Sequence, residues 1–355
     1  MEKVRLGRTD LMVSRISMGC IPIQMISETD AVKLLHRAFD YGVNFYDTAH
    51  IYTDSEAKLG AAFAGPKRKE IFIATKAQST TYEQTIEQLD ESLRRLKTDY
   101  IDIYQWHNPE KNFDNFQNDH GPFQAMQHAQ KAGKIRFIGL TQHGLQRAHF
   151  GIDTGLFDTL QFPLSLMSTP EEIAVSFRAA ELDLGVIAMK GMCGGLLEDG
   201  KLAFTFLNQY RHIVPIWGIK KAEELDEFVE LLKHPEPFTE EMQQQTEKLK
   251  REYGDDFCRC CGYCLPCPNE VPITLATRIT TMVKRGAMLN VLFTPEYYEN
   301  MKKVDNCTNC GICSSRCPYH LNVPRLIKDQ QTAYMKMYTR KNVSFDHGSS
   351  SRESG

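Results

Sequence analysis

From residue 14 to about 234, short apolar runs alternate with segments whose hydrophobic positions recur every three or four residues. The apolar runs predict strands at Arg15–Gly19, Asn44–Thr48, Ile71–Thr75, Ile101–Trp106, Ile135–Leu140, Thr159–Phe162, Gly185–Met189 and Ile213–Trp217. Most are continuous rather than alternating, as expected of strands covered on both faces in a parallel sheet. Between the first two, Ser27 and Asp30 open a helix with Ala31, Leu34, Leu35, Ala38 and Phe39 on one face, and Gly42 closes it. A later segment places Ile86, Leu89, Leu93 and Leu96 on another single helix face. Eight strand–helix repeats in roughly 200 residues fit an α/β fold of the (β/α)8 TIM-barrel type. An open doubly wound sheet is the alternative, but no Gly-rich phosphate turn follows the first strand. Ahead of the repeats, Val4–Val13 reads as a small hairpin with Gly7 and Asp10 in turn positions.

After His234-Pro235-Glu236-Pro237 the texture changes, and residues 239–253 are polar and charged enough to make a linker helix. Nine of the eleven cysteines then fall between Cys258 and Cys317. Cys307, Cys310, Cys313, Cys317 and Pro318 read C-x2-C-x2-C-x3-C-P, the spacing with which bacterial ferredoxins hold [4Fe–4S] clusters. In two-cluster arrangements the last cysteine of each run crosses to the other cluster. That rule pairs Cys258, Cys261 and Cys264 with Cys317, and Cys307, Cys310 and Cys313 with Cys267. The first run departs from the pattern, with two residues before its last cysteine instead of three, and Cys260 is a spare thiol inside it. A pair of four-cysteine zinc sites is the alternative, although zinc knuckles usually draw two cysteines from each of two separated loops. Val291, Leu292, Phe293, Tyr297 and Tyr298 separate the runs and are expected to pack the half-sites together. The resulting division is a barrel over 1–234, a linker helix with a small, mainly α-helical ferredoxin-type domain over 235–340, and a disordered tail over 341–355.

Composition narrows the classes. Of 355 residues, 42% are hydrophobic and 25% charged, as in an ordinary soluble globular protein. A formal net charge of −3 gives no reason to expect nucleic acid or an anionic membrane as partner. The N-terminus lacks the apolar stretch of a signal peptide, and no run approaches the ~20 apolar residues of a membrane span. Cysteine richness without an export signal predicts a reducing, cytoplasmic location, and cluster chemistry fits an anaerobic or microaerobic host.

Chemistry in such a barrel sits at the carboxyl ends of the strands. Asp47 ends the second predicted strand, Tyr52 follows in the loop, Lys76 ends the third and His107 the fourth. A buried lysine beside a tyrosine would favour the phenolate, and a carboxylate would keep that lysine charged. The tyrosine would donate a proton to a carbonyl oxygen as hydride arrives, while the histidine orients the same oxygen. Taken singly, each residue has a plain structural reading: helix cap, surface ring, snorkelling lysine, loop hydrogen bond. Four of them at consecutive strand ends are much harder to dismiss.

With these residues in place, the sequence resembles the aldo/keto reductase family. Asp47, Tyr52, Lys76 and His107 lie in segments similar to its catalytic motifs, and LGRTDLMVS is similar to its N-terminal signature. The resemblance continues through KIRFIGLTQH, DTLQF, GVIAMKGMCGGLL and VPIWGIKKAEELDE, and the cysteine region resembles the appendage of a ferredoxin-bearing subgroup. It implies NAD(P)-dependent reduction of a small-molecule carbonyl substrate without a metal at the barrel site. It also implies that Gln161 holds the nicotinamide carboxamide and that Thr141 and Gln142 stand at the usual Ser-Asn. Met189 stands where many members stack an aromatic ring. Gly218, Lys220, Lys221 and Glu224 match the segment meeting the adenosine end, where two lysines near a helix N-terminus would suit the 2′-phosphate of NADP over NAD. Trp106, Phe113, Phe116, Trp217 and Met192 are expected near the mouth as an apolar pocket, with residues 108–120 as a lid or specificity loop.

Three functions follow. The first is an NAD(P)H-dependent carbonyl reductase whose two clusters are structural or sense redox state. The second is a reductase whose clusters pass single electrons from a ferredoxin or other electron carrier to a substrate in the barrel. The third is an electron-transfer or docking protein with an inactive barrel.

Overall fold

The computed structural model describes residues 1–109, 113, 116, 120–195, 197–253, 258, 259, 262, 264–284, 292–317 and 319–349, with backbone alone at 253, 281, 284 and 341–349. Two compact units result, Met1–Glu247 and Lys248–Gly355.

In the first unit the eight predicted runs pair into one closed barrel. A hairpin of β1 (Lys3–Arg5) and β2 (Met12–Ser14) precedes it. The staves are β3 (Ser17–Gly19), β4 (Phe45–Asp47), β5 (Phe72–Ala77), β6 (Ile101–His107), β7 (Ile135–Thr141), β8 (Thr159–Pro163), β9 (Gly185–Met189) and β10 (Ile213–Trp217). They follow one another in chain order, each parallel to its neighbours, and β10 closes onto β3. Eight helices cover the outside: α1 (Glu28–Asp40), α2 (Ser55–Phe63), α3 (Tyr82–Leu96), α4 (Pro122–Lys131), α5 (Leu145–Asp153), α6 (Pro170–Glu181), α7 (Gly200–Asn208) and α8 (Ala222–Lys233). Local chemistry sets their ends. The Ser27 hydroxyl accepts from the Asp30 N–H at 3.1 Å to start α1, whose buried face is Ala31, Leu34, Leu35 and Ala38. Thr81 caps α3, which buries Thr85, Leu89, Ser92 and Leu96. Each fully buried Leu on such a face contributes about 1.5–3 kcal/mol.

The hairpin plugs the barrel's amino end. Leu6, Leu11 and Val13 pack with Phe45, Ala74, Ile103, Ile187, Met189, Val214 and Ile216 from the staves. Gly7 makes this possible: its φ is +48°, and a Cβ there would lie 2.2 Å from the Gly185 nitrogen at the start of β9.

Two expectations for the barrel change. Phe113 and Phe116 do not line a pocket. They are buried among Trp106, Phe123, Phe150 and Phe157, with ring centroids as close as 5.3 Å for Phe113–Phe150 and 4.8 Å for Phe116–Phe123. Phe113 and Phe116 are therefore anchored against α4 and α5, because burial of a ring outweighs the polar character of its neighbours. Trp217 is likewise core, stacked on Phe228 of α8 at 4.3 Å.

In the expected linker, helix α9 spans Glu240–Tyr253, and the boundary between the compact units falls inside it. The second unit is mainly helical, with Ile273–Ala276, Ile279–Lys284, Pro295–Lys302, Ile312–Ser315 and the long Val323–Ser349. Val271, Ile273, Ile279, Leu292, Met301, Val304, Leu321, Ile327 and Tyr334 form its core. Leu292 and Phe293 pack onto the long helix, where the Tyr334 hydroxyl donates to the Leu292 carbonyl at 2.5 Å and Phe293 stacks on Tyr338. Val291 lies outside the described residues. The long helix continues to Ser349, through residues whose composition predicts a disordered tail; once packed residues such as Tyr334 nucleate a helix, each further residue adds a backbone hydrogen bond at low cost. Among the described residues no helix is long and apolar enough to cross a membrane.

Candidate active site

The carboxyl ends of β4 to β8 bring the predicted polar residues to one level. Cα register pairs Lys76 with Gln105, His107 with Thr141, and Thr141 with Gln161. Asp47 closes β4, and the loop after it delivers Tyr52, whose N–H donates to the Ala49 carbonyl at 2.9 Å.

Asp47 is the hub. It accepts from Lys76 Nζ at 2.5 Å and Gln161 Nε2 at 3.3 Å on Oδ1, and from Gln105 Nε2 at 3.0 Å on Oδ2. The Thr141 hydroxyl donates to Gln105 Oε1 at 3.0 Å and contacts Gln161 Oε1 at 3.5 Å, completing the net. Lys76 also donates to the Thr48 carbonyl at 2.6 Å. Both charges are buried, so burial pushes Asp47's pKa up and Lys76's down, and each is opposed by the other's charge. Three donors converging on Asp47 favour the ionised carboxylate.

The expected phenolate at Tyr52 does not form in this geometry. Lys76 Nζ donates to Asp47 and to the Thr48 carbonyl and lies 5.2 Å from the Tyr52 ring centroid. Burial, followed by the charge of Asp47 and Cys20, raises the Tyr52 pKa well above its ordinary value. Tyr52 is therefore held protonated, the form that can donate. His107 meets the Tyr52 ring edge-on, with centroids 6.1 Å apart. Burial, then Lys76 and Lys190, pushes its pKa down to about 3, so the imidazole is neutral at physiological pH. Its Nδ1 is buried and has no hydrogen-bond partner among the described residues.

The cofactor candidates divide. Gln142 donates through Nε2 to the Pro109 carbonyl at 3.0 Å and leaves Oε1 buried without a partner among the described residues, an acceptor suited to an amide N–H such as a nicotinamide carboxamide offers. Gln161 and Thr141 are engaged in the Asp47 net. Met189 packs in the barrel's interior cluster. At the start of α8, the Glu224 carboxylate accepts from the N–H groups of Lys220 at 2.9 Å and Lys221 at 3.2 Å. Those backbone donors are therefore already used, and a 2′-phosphate would be left to the lysine side chains beside exposed Gly218.

Residues outside the sequence expectation complete the site. Gln105 lies two positions before His107 on β6 and so on the same strand face, a signal present in IDIYQWH. Lys190 follows Met189 with a left-handed φ of +62° and acts on both His107 and His143.

In the second unit the cysteines line two adjacent cavities. One is lined by Cys264, Cys267, Cys307, Cys310 and Cys313. The other is lined by Cys258, Cys264 and Cys317. Cys264 borders both. Among the described residues, no three His, Cys, Asp or Glu side chains converge on a single-ion position. Cys260, Cys261 and Pro318 lie outside the described residues.

Comparison with known proteins agrees with this division. Residues 15–205 match the aldo/keto reductase family, and residues 257–322 match a 4Fe–4S dicluster domain. The oxidoreductase YrpG of Bacillus subtilis, itself uncharacterized, is 29% identical over 228 residues, which cover 56% of this chain and 68% of that protein. L-galactose dehydrogenase of Arabidopsis thaliana is 35% identical over 38% of this chain and 47% of its own length. The 6-dehydroglucose reductase of Novosphingobium aromaticivorans is 34% identical over 39% of this chain and 50% of its own. The chain thus spans about half the length of these last two. The holo form of an aldo-keto reductase from Bacillus halodurans superposes with a TM-score of 0.62 over 70% of this chain and 96% of that one; at 22% identity this speaks for the fold. With the closed barrel, the Asp47-centred site and the cysteine-lined cavities on one polypeptide, the chain belongs to the aldo/keto reductase family and carries a C-terminal 4Fe–4S dicluster domain.

Proposed function

We propose that the protein reduces a small-molecule carbonyl, with Tyr52 as general acid and NAD(P)H as reductant. The observation that carries this reading is the buried Lys76–Asp47 pair lying beside a tyrosine held protonated, with a neutral histidine at its edge. When bound, the nicotinamide supplies the hydride. Tyr52 gives its hydroxyl proton to the carbonyl oxygen as that oxygen gains negative charge. Lys76, charged beside Asp47, stabilises the phenolate that this proton transfer leaves behind. His107 is neutral, so it orients the carbonyl by a hydrogen bond rather than by charge. The unpartnered Gln142 Oε1 supports a carboxamide contact, and Lys220 and Lys221 support NADP over NAD through their side chains.

The same reading assigns two [4Fe–4S] clusters, one to Cys258, Cys261, Cys264 and Cys317, the other to Cys307, Cys310, Cys313 and Cys267. The two cavity linings support this crossover: Cys317 borders the cavity of the first run, and Cys267 that of the second. Hydride moves two electrons together whereas each cluster takes one, and no step at the tetrad needs a single electron. The clusters are accordingly read as structural or redox-sensing. One observation favours the second reading, electron delivery from a ferredoxin-type carrier: Met189 offers the nicotinamide no aromatic ring and packs in the interior cluster.

The test is Tyr52→Phe in anaerobically purified, cluster-replete protein assayed with NADPH and NADH against a panel of aldehydes and ketones. Carbonyl reduction should fall by at least ~100-fold, the contribution of a positioned acid. Near-normal turnover would remove the tetrad assignment.

A further inference from the structure

Behind the tetrad lies a carboxylate that the proposed mechanism does not use. Glu56, in the first turn of α2, is 1% exposed. Its Oε1 accepts from the Thr75 hydroxyl at 2.6 Å, and Thr75 immediately precedes Lys76 on β5. Its Oε2 lies 3.5 Å from Arg95 Nη1 of α3 and makes no hydrogen bond among the described residues. The same Arg95 Nη1 donates to the His50 carbonyl at 2.9 Å, and the His50 N–H donates to the Lys76 carbonyl at 3.1 Å. Two hydrogen bonds, Thr75 to Glu56 and Arg95 to His50, joined by the 3.5 Å ion pair, thus link the strand carrying Lys76, the loop carrying Tyr52, α2 and α3, while Arg95 Nε also donates to Glu91 Oε1 at 2.9 Å.

A capping role alone does not account for this placement. An exposed Ser or Asp would complement a helix N-terminus as well, whereas a buried carboxylate is costly unless it is paired. The two ends of the same loop are also bridged to each other. The Thr48 hydroxyl donates to Ser55 Oγ at 2.8 Å, and Ser55 Oγ donates to the Cys20 carbonyl at 2.9 Å. Tyr52 is therefore carried on a loop bridged end to end by Thr48 and Ser55, with Arg95 bound at His50 and Glu56 at Thr75 as further anchors.

We propose that Glu56 and Arg95 are positioning residues: their ion pair sets the Tyr52 loop against Lys76, and Glu56 is a second negative charge behind that lysine. This inference rests on the tetrad reading above. The groups facing Lys76 are Asp47 on β4, Tyr52 in the following loop, Cys20 after β3, His107 on β6, His143 after β7 and Glu56 on α2. Asp47 and Glu56 both raise the Lys76 pKa, so removing the Glu56 carboxylate makes Lys76 easier to deprotonate.

Glu56→Gln keeps the shape and removes the charge. It should lower kcat by about tenfold, with KM for substrate and NADPH within about twofold, because a displaced catalytic group slows the reaction more than it weakens binding. The alkaline limb of the kcat–pH profile should move to lower pH. Arg95→Met should reproduce the kcat loss, and Arg95→Lys should recover most of it. Should Glu56→Gln fail to fold, the Arg95→Met and Arg95→Lys pair decides. Unchanged kcat and an unmoved alkaline limb in Glu56→Gln, or equal activity of the two Arg95 variants, would overturn the proposal. If Tyr52→Phe is inactive while these variants are normal, only the positioning role falls; if Tyr52→Phe is fully active, the tetrad reading falls with it.

Discussion

The barrel and the cysteine unit both gather reactive side chains, but they satisfy them differently. In the barrel, Asp47 takes three donors from its own chain, Lys76 donates to two acceptors, and Gln105 and Gln161 share one threonine hydroxyl. That network is complete within the protein. In the cysteine unit, seven of the described thiols line two cavities. The contrast separates a preorganised electrostatic site from a ligand cage whose stability is linked to what it binds. On the proposed reading it also separates two-electron from one-electron chemistry within one chain.

Perturbing each unit in turn sharpens that separation. Tyr52→Phe carries the largest effect: the hundredfold loss of carbonyl reduction should come with unchanged iron content and visible absorbance. Cys310→Ser should do the reverse, halving the iron measured per chain or unfolding the second unit, while NADPH-dependent carbonyl reduction persists. Loss of reduction in a Cys310→Ser protein with a folded barrel would join the units functionally. The smallest effect concerns pH. His107 is held neutral down to about pH 3 in the native state, whereas in the unfolded chain it takes a proton near its ordinary value of 6.5. Between those values the unfolded state binds more protons, so stability falls as pH drops from 6.5 toward 3. His107→Gln should make that decline shallower, on the order of 1 kcal/mol at pH 5 after allowance for the partial exposure of the ring. Denaturant titrations of both proteins at pH 5 and pH 7 measure it, and identical pH slopes would place the histidine outside the buried site.

Much of the barrel was legible because its strands are apolar runs with sharp ends. Gly185–Met189 and Ile213–Trp217 occur with the boundaries their composition predicts. Lys76 was assigned to a strand end, yet β5 runs one residue further to the buried Ala77. Phe113 and Phe116 misled because their Asn- and Asp-rich neighbours read as a lid, while the rings pack on α4 and α5, contacts that no local pattern encodes. Glu56 gave no sign of burial either: TDSEAKLG reads as a helix start, and only the arrival of Thr75 and Arg95 encloses the carboxylate. In the second unit the cysteine spacing pointed to the 4Fe–4S dicluster domain that residues 257–322 match, since three of the four ligands expected for each cluster fall within one short run.

The most direct measurement of the central claim is anaerobic. The cluster-replete protein is titrated with NADPH, without carbonyl substrate, while its visible iron–sulfur absorbance is followed. The account predicts no bleaching by NADPH, with full bleaching on addition of dithionite. Bleaching by NADPH would contradict it, because electrons would then pass from nicotinamide to the clusters and the barrel and cysteine unit would form a single redox path.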